Sequence, residues 1–178
     1  MLYSLLLLLS VGDVGIVLVA IDGPAGSGKT TLASKLEADY KLTATVQVVH
    51  MDDLYNGWEQ ALSQDLTAKL TEIVHAHKSG KDFYLAKFNW ATMEFGEAQL
   101  IPASEILILE GVGAAQKIVR DAGAKTYWIE TSEEIGLTRV LDRDGHHLRD
   151  LMLKWQSYQD AYFKMDKTAE NCDVKLTS

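Results

Sequence analysis

The segment Gly15-Ile-Val-Leu-Val-Ala-Ile-Asp-Gly-Pro-Ala-Gly-Ser-Gly-Lys-Thr-Thr31 decides how this chain folds. Its first part, up to Ile21, is a continuous apolar run with β-branched residues, which is typical of a strand buried on both faces of a parallel sheet. The part from Gly23 to Thr30 fits the pattern G-x-x-x-x-G-K-[ST] at every defined position. A helix is expected to follow, up to Tyr40. This order of strand, glycine-rich loop and helix predicts a phosphate-binding loop.

The chemistry of phosphate binding explains the composition of this loop. Glycines let backbone N–H groups point inward around a phosphate, and the N-terminus of the following helix adds partial positive charge. Lys29 is expected to reach the β- and γ-phosphates, and the hydroxyl of Thr30 to bind Mg²⁺. The expected cofactors are therefore Mg²⁺ and a nucleotide, for which ATP is the default. The expected nucleotide-binding residues are Gly23, Pro24, Ala25, Gly26, Ser27, Gly28, Lys29, Thr30 and Thr31.

Composition limits what else the chain can bind. Its 178 residues include 17 Lys and Arg against 25 Asp and Glu, a formal net charge of −8 at pH 7. A general nucleic-acid binder needs a basic surface to displace counterions, so no nucleic-acid partner is expected. The single cysteine, Cys172, cannot form an internal disulfide, which favours a cytoplasmic location.

The N-terminus contains a short apolar run, the five leucines from Leu5 to Leu9. Gly12, Asp13 and Gly15 separate it from the next apolar run, so neither approaches the roughly 20 residues that cross a bilayer. A secretory signal would begin with basic residues, which the opening Met-Leu-Tyr-Ser lacks. We therefore expect a helix at residues 2–10 that packs on the domain and no membrane partner, with an export signal as the alternative.

Apolar patterns along the rest of the chain alternate between strands and helices. Further strands are predicted at Thr45–His50, Phe83–Lys87, Ile106–Leu109 and Lys125–Glu130, and Asp173–Leu176 can add a short last strand. Helices are predicted around 58–77 and 113–122 and over most of the chain after 148, with their aromatic residues in the core. The alternation predicts one α/β domain over residues 1–178, with a mainly parallel five-stranded sheet flanked by helices.

Two acidic positions follow predicted strands. Asp52 comes where the second strand ends, and Glu110 comes directly after Ile106–Leu109. Ligands of doubly wound sheets bind outside the carboxyl ends of the strands, so both carboxylates are expected to face the phosphate-binding loop. Asp52 suits a group that orients or deprotonates an acceptor hydroxyl, and a turn-forming Asp pair is the alternative. Glu110 suits a partner of Mg²⁺, directly or through water.

These motifs resemble the uridine kinase and phosphoribulokinase group of P-loop kinases over nearly the whole chain. Four segments fall in the family's order: Gly23–Thr30, Asp52–Tyr55, Ile108–Gly111 and Arg139–Asp144. The resemblance implies a three-layer P-loop NTPase fold with a helical lid at about 133–150. It implies that Asp52 is the base that activates the acceptor and also lies at the metal, with Thr30 and Glu110. It further implies that Arg139 and Arg143 clamp the transferring phosphate.

The acceptor side departs from the family pattern. Uridine kinases carry Tyr-Asp-Phe followed by His and Arg that help to hold the nucleoside. This sequence has Phe88-Asn89-Trp90, and Met93 and Phe95 replace the His and Arg. Since a polar substrate edge that faces Met would lose its hydrogen bonds, the resemblance implies phosphoryl transfer but not uridine. The candidate acceptor-binding residues are Asp52, Tyr55, Phe88 and Trp90, and core packing is the alternative for the last two.

The sequence therefore favours a kinase that uses ATP and Mg²⁺ to phosphorylate a hydroxyl of a small molecule, with a nucleoside among the candidates. The N/T-K-x-D guanine motif of a GTPase is missing from the sequence. Two alternatives stay open: a nucleotide-binding accessory or switch protein, and a degenerate kinase without a small-molecule acceptor. The resemblance also leaves a homo-oligomer open.

Overall fold

The structure is a computed structural model that describes residues 15–178, so the helix predicted at residues 2–10 lies outside the described residues. The strands are β1 (Val17–Asp22), β2 (Val46–His50), β3 (Phe83–Asn89), β4 (Glu94–Ile101), β5 (Ile106–Glu110), β6 (Lys125–Glu130) and β7 (Val174–Thr177). The helices are α1 (Lys29–Tyr40), α2 (Gln64–Lys78), α3 (Lys117–Asp121), α4 (Glu133–Asp144), α5 (Arg149–Asp166) and α6 (Thr168–Asn171). None of these helices combines the length and the apolar character needed to cross a membrane.

Five parallel strands form the central sheet in the order β2-β5-β1-β6-β7. The sheet is covered on both faces, and alternate residues of β1 show this. Leu18 and Ala20 join a core with α2 and α5, whereas Val19 and Ile21 join a second core with α1. The three-layer α/β architecture predicted from the sequence is therefore confirmed. β5 is buried at every position because it lies between β2 and β1 inside the sheet.

The register of the sheet positions the site. Glu110 at the end of β5 lies beside Ile21 of β1 and beside His50 of β2. The segments that leave these three strands at their carboxyl ends therefore meet at one edge of the sheet, as expected for a doubly wound fold.

The central sheet does not contain every strand that the sequence predicts. The strand predicted at 83–87 exists, but it pairs with β4 in a separate antiparallel hairpin. The fifth strand of the central sheet is β7, the optional last strand of the prediction. β4 escaped prediction because most of its side chains are exposed, so its sequence lacks the apolar alternation of a buried strand.

Two predicted helices are shorter than expected. The helix predicted at 58–77 begins only at Gln64. The helix predicted at 113–122 is confined to α3, because Gly113 has a φ of 82° and Asp22 binds the amides of Gly113 and Ala115. These two amides therefore donate to the Asp22 carboxylate and not to helical carbonyl groups.

Asp22, the last residue of β1, joins two loops through a fully buried carboxylate. The carboxylate accepts the N–H groups of Gly23 at 2.8 Å, Gly113 at 3.0 Å and Ala115 at 2.8 Å. Burial raises the pKa of Asp22 to about 6, although these donors and the Lys29 ammonium act in the opposite direction. Asp22 thus ties the start of the glycine-rich loop to the segment that follows β5.

This raised pKa predicts a pH dependence of stability. Because the pKa of Asp22 is higher in the folded protein than its ordinary value of 3.8, the fold loses stability as the pH rises through about 6. The free energy of unfolding of the wild type minus that of Asp22→Asn should fall by about 1 kcal/mol from about pH 5 to about pH 8. Urea denaturation at each pH measures this difference. Asp39→Asn, at an exposed position of α1, is the control. If Asp22→Asn and the wild type change in parallel, Asp22 does not titrate in this range.

Candidate active site

The carboxyl ends of β1, β2 and β5 border a cavity of about 630 Å³. Residues from the glycine-rich loop, from the ends of β2 and β5 and from α4 line it together. The predicted residues among its lining are Ala25, Gly26, Gly28, Lys29, Thr30, Thr31, Asp52, Tyr55, Trp90, Glu110, Arg139 and Arg143. The structure therefore brings most of the predicted site into one space.

The backbone of the loop has the geometry that its glycines predict. Gly26 and Gly28 have φ angles of 77° and 93°, in the left-handed region that favours glycine. A Cβ atom on Gly26 would lie 2.3 Å from the carbonyl oxygen of Gly136, so a side chain does not fit there. Leu32 donates its N–H to the carbonyl of Gly28 at 3.2 Å, and the three amides before it lie ahead of this first helical bond. Amides in this position bind anions.

Three predicted loop residues do not line the cavity, namely Gly23, Pro24 and Ser27. Lys29 Nζ donates to the carbonyl oxygens of Gly23 at 2.9 Å and Pro24 at 2.7 Å. Ser27 is fully buried, and its hydroxyl has no hydrogen-bond partner among residues 15–178. Burial lowers the pKa of Lys29, whereas the carboxylate of Asp22 acts against that shift.

Thr30 and Glu110 form a pair that suits a magnesium ion. Thr30 Oγ1 lies 3.3 Å from each carboxylate oxygen of Glu110, and His50 Nδ1 lies 2.5 Å from Glu110 Oε1. In the part of the chain that the structure describes, no group of three His, Cys, Asp or Glu residues could hold a metal by itself. Proteins usually bind Mg²⁺ through one or two carboxylates together with substrate phosphates. Thr30 and Glu110 therefore fit an ion that binds together with a nucleotide.

Asp52 lies in a short 3-10 turn directly after β2, with its side chain at the cavity. Asp52 is exposed to the cavity, but partial desolvation by the surrounding protein raises its pKa, and the Lys29 ammonium opposes that shift. The neighbouring Asp53 is bound differently, since it pairs with Lys87 at 2.8 Å. Of the two aspartates, only Asp52 lines the cavity.

An aromatic wall forms the side of the cavity next to Asp52. The ring centroids of Trp58 lie 4.9 Å from Trp90 and 5.7 Å from Trp155, and Tyr55 lies 5.6 Å from Trp155. Tyr55 donates its hydroxyl to the carbonyl of Val112 at 2.6 Å, and Trp90 Nε1 donates to the carbonyl of Asp52 at 3.0 Å. Both of these residues therefore present their rings rather than a free donor.

Two tryptophans of this wall pack in or against the core, as the sequence predicts, and also border the cavity. Trp58 and Trp155 both line the cavity, although Trp155 is buried and also packs in the core. They come from the loop before α2 and from α5, far apart in sequence. Helical spacing shows that such a residue is buried, but it cannot show that one edge borders a cavity.

The β3–β4 hairpin contains the residues that depart from the uridine kinase pattern. Phe88 is 5% exposed and packs between Trp90 and Phe95, so it supports Trp90 and does not line the cavity. Asn89 closes the hairpin turn, because its Oδ1 accepts the N–H of Ala91 at 2.9 Å. Met93, where the family has His, has a φ of 58° at the end of this turn.

The arginines of α4 both reach the cavity. Arg139 donates to the carbonyl oxygen of Gly26 at 3.2 Å, and Arg143 pairs with Asp144 at 2.6 Å. The first turn of α4 lies against the loop, since a Cβ atom on Gly136 would be 2.5 Å from the carbonyl oxygen of Ala25. The predicted lid at 133–150 is therefore anchored to the loop at its N-terminal end.

Comparison with known proteins supports the fold. No family model and no curated protein matches the sequence. Among solved structures, a possible uridine kinase from Bacillus stearothermophilus superposes with a TM-score of 0.66 at 20% identity, over 94% of this chain and 91% of that one. A protein provisionally assigned as a fructose transport system kinase from Silicibacter sp. TM1040 gives 0.71 at 19% identity, over 94% and 92%. Shikimate kinase from Bacteroides thetaiotaomicron gives 0.51 at 13%, over 90% and 85%. The chain has the uridine-kinase-like P-loop kinase fold.

Proposed function

We propose that this protein is a small-molecule kinase, which uses ATP and Mg²⁺ to phosphorylate a hydroxyl group of its acceptor. One observation carries the proposal: a single cavity holds the phosphate-binding loop, the Thr30–Glu110 pair and Asp52 with its aromatic wall. A nucleotide switch needs only the first two of these features. An aromatic-lined space next to a carboxylate suits the binding of an organic acceptor with a hydroxyl group.

The phosphate end of the cavity supplies positive charge. Lys29 and the amides at the start of α1 would bind the phosphates, while Arg139 and Arg143 add permanently charged donors. Thr30 and Glu110 would hold Mg²⁺, which neutralises negative charge on the phosphates when it is bound. Stabilising charge in this way is the main contribution that a protein makes to phosphoryl transfer.

Asp52 would supply the proton acceptor. Its carboxylate would bind the acceptor hydroxyl and take its proton as the oxygen forms a bond to the γ-phosphorus and the bond to ADP breaks. Its raised pKa makes it a stronger base than an ordinary aspartate. The hydrogen bond from Trp90 to the backbone of Asp52 helps to hold this residue in place.

The aromatic wall favours an acceptor that contains a ring. Tryptophan and tyrosine rings stack on aromatic rings and on the C–H faces of sugars. The cavity is also lined by the apolar side chains of Leu148, Leu151 and Met152. Nucleosides, sugars and ring-containing vitamin precursors are therefore the acceptor classes to test.

Replacement of Lys29 tests the nucleotide site. We expect Lys29→Ala to weaken Mg·ATP binding by about 10- to 100-fold, since it removes charge-assisted hydrogen bonds to phosphate. Isothermal titration calorimetry measures the dissociation constant. The matched control is Lys35→Ala, at an exposed position of α1, and it should bind like the wild type. Unchanged affinity of Lys29→Ala would argue against nucleotide binding at this loop.

Replacement of Asp52 tests the proposed base. We expect Asp52→Asn to keep its affinity for Mg·ATP but to lower kcat by about 10²- to 10⁴-fold, because an amide cannot accept the proton. Asp53→Asn serves as the control, since Asp53 pairs with Lys87 and does not line the cavity. Wild-type kcat in Asp52→Asn would remove this residue from the mechanism.

A screen of acceptors tests the reaction itself. ADP release from ATP should increase when the true acceptor is added, and the nucleosides, sugars and vitamin precursors named above form the panel. Acceptor-dependent release supports a kinase. A protein that binds Mg·ATP but shows no acceptor-dependent release over the panel would instead support the switch or degenerate-kinase alternative.

A further inference from the structure

Gln159 of α5 contacts the phosphate-binding loop and does not line the cavity. The residue is 0% exposed, and its Oε1 accepts the N–H of Ala25 at 3.0 Å. Since an N–H group requires an acceptor, the side-chain oxygen must face the loop, which settles the orientation of the amide. The other atom of the amide, Nε2, has no hydrogen-bond partner among residues 15–178.

The buried polar amide of Gln159 is not needed to fill space, since an unbranched apolar side chain of similar length would do so. What the glutamine at 159 adds is one acceptor oxygen, directed at one loop amide.

Ala25 is one of three loop residues whose N–H groups have an acceptor within the described part of the protein. Gly23 donates its N–H to Asp22, Ala25 donates to Gln159, and Ser27 donates to the carbonyl of Pro24 at 3.2 Å. These bonds occupy alternate amides of the loop. The amides at the start of α1 remain for phosphate.

The peptide of Ala25 is held from two helices. Gln159 of α5 binds its N–H, and the backbone of α4 at Gly136 lies against its carbonyl oxygen. α5 also carries Leu151 and Trp155, which line the acceptor side of the cavity. One helix therefore contacts both the phosphate-binding loop and the acceptor wall.

We propose that Gln159 is a positioning residue for nucleotide binding. It holds Ala25 so that the loop keeps the curvature in which the amides at the start of α1 face the phosphates. The inference rests on the proposed function, because it concerns the nucleotide of that same site. Its role is separate from that of Lys29, since Gln159 does not line the cavity.

Gln159→Met is the test, because methionine is unbranched and similar in length but offers no strong acceptor. We expect the dissociation constant for Mg·ATP to rise about tenfold, the loss of about one hydrogen bond. The melting temperature should fall by at most a few degrees, since the variant loses one hydrogen bond but keeps the buried volume. Calorimetric titration and thermal unfolding of the whole chain measure the two quantities.

Gln116→Met is the matched control. Gln116 is also buried, but it bonds to Thr67 and to the carbonyl of Gly113. Loss of these bonds should lower the melting temperature and leave the dissociation constant within about twofold of the wild type. Only the Gln159 variant should therefore weaken the binding of Mg·ATP.

Three results would overturn the inference. One is a dissociation constant for Gln159→Met within about twofold of the wild type. Another is that neither Gln159→Met nor Gln159→Leu folds, which would assign Gln159 to the fold itself. The third is that the wild-type protein does not bind Mg·ATP, and this result alone would also overturn the proposed function, so the two failures are distinguishable.

Discussion

The hydrogen bonds that three loop amides donate to the buried carboxylate of Asp22 hold the site together. They join the turn after β1 to the segment after β5, the two places from which the cavity takes Lys29 and Glu110. A buried carboxylate is tolerated only while its hydrogen bonds are made, so these segments cannot separate without a large loss of stability. The contact between Thr30 and Glu110 therefore depends on hydrogen bonds to Asp22, a residue that does not itself line the cavity.

The charge of the cavity differs from that of the whole protein. The chain has a net charge of −8, yet its proposed ligand is a polyanion. The cavity brings Lys29, Arg139 and Arg143 to the same place as the acidic side chains of Asp52 and Glu110. Such a mixture favours a nucleotide that arrives with a divalent cation, because the cation and the cationic side chains can then neutralise carboxylates and phosphates together. The net charge argues against a broad nucleic-acid surface, but it is compatible with a local site for one nucleotide.

The two helices that contact the loop, α4 and α5, also line the cavity. α4 contacts the loop at Gly26 through Gly136 and carries both arginines. α5 contacts the loop through Gln159 and borders the acceptor wall through Trp155. A shift of α4 would alter the loop because the two backbones pack closely at Gly26 and Gly136. A shift of α5 would alter it by displacing the acceptor of the Ala25 N–H.

The sequence by itself determined the features that depend on neighbouring residues. The apolar strand, the glycine-rich loop and the placement of Asp52 and Glu110 after strands all follow from local pattern and the carboxyl-end rule. Only the tertiary structure decided that 83–89 leaves the central sheet, that Trp58 and Trp155 line the cavity and that Asp22 and Gln159 hold the loop. Gln159 and Ala25 are 134 residues apart, and periodicity reports that a side chain is buried without naming its partner.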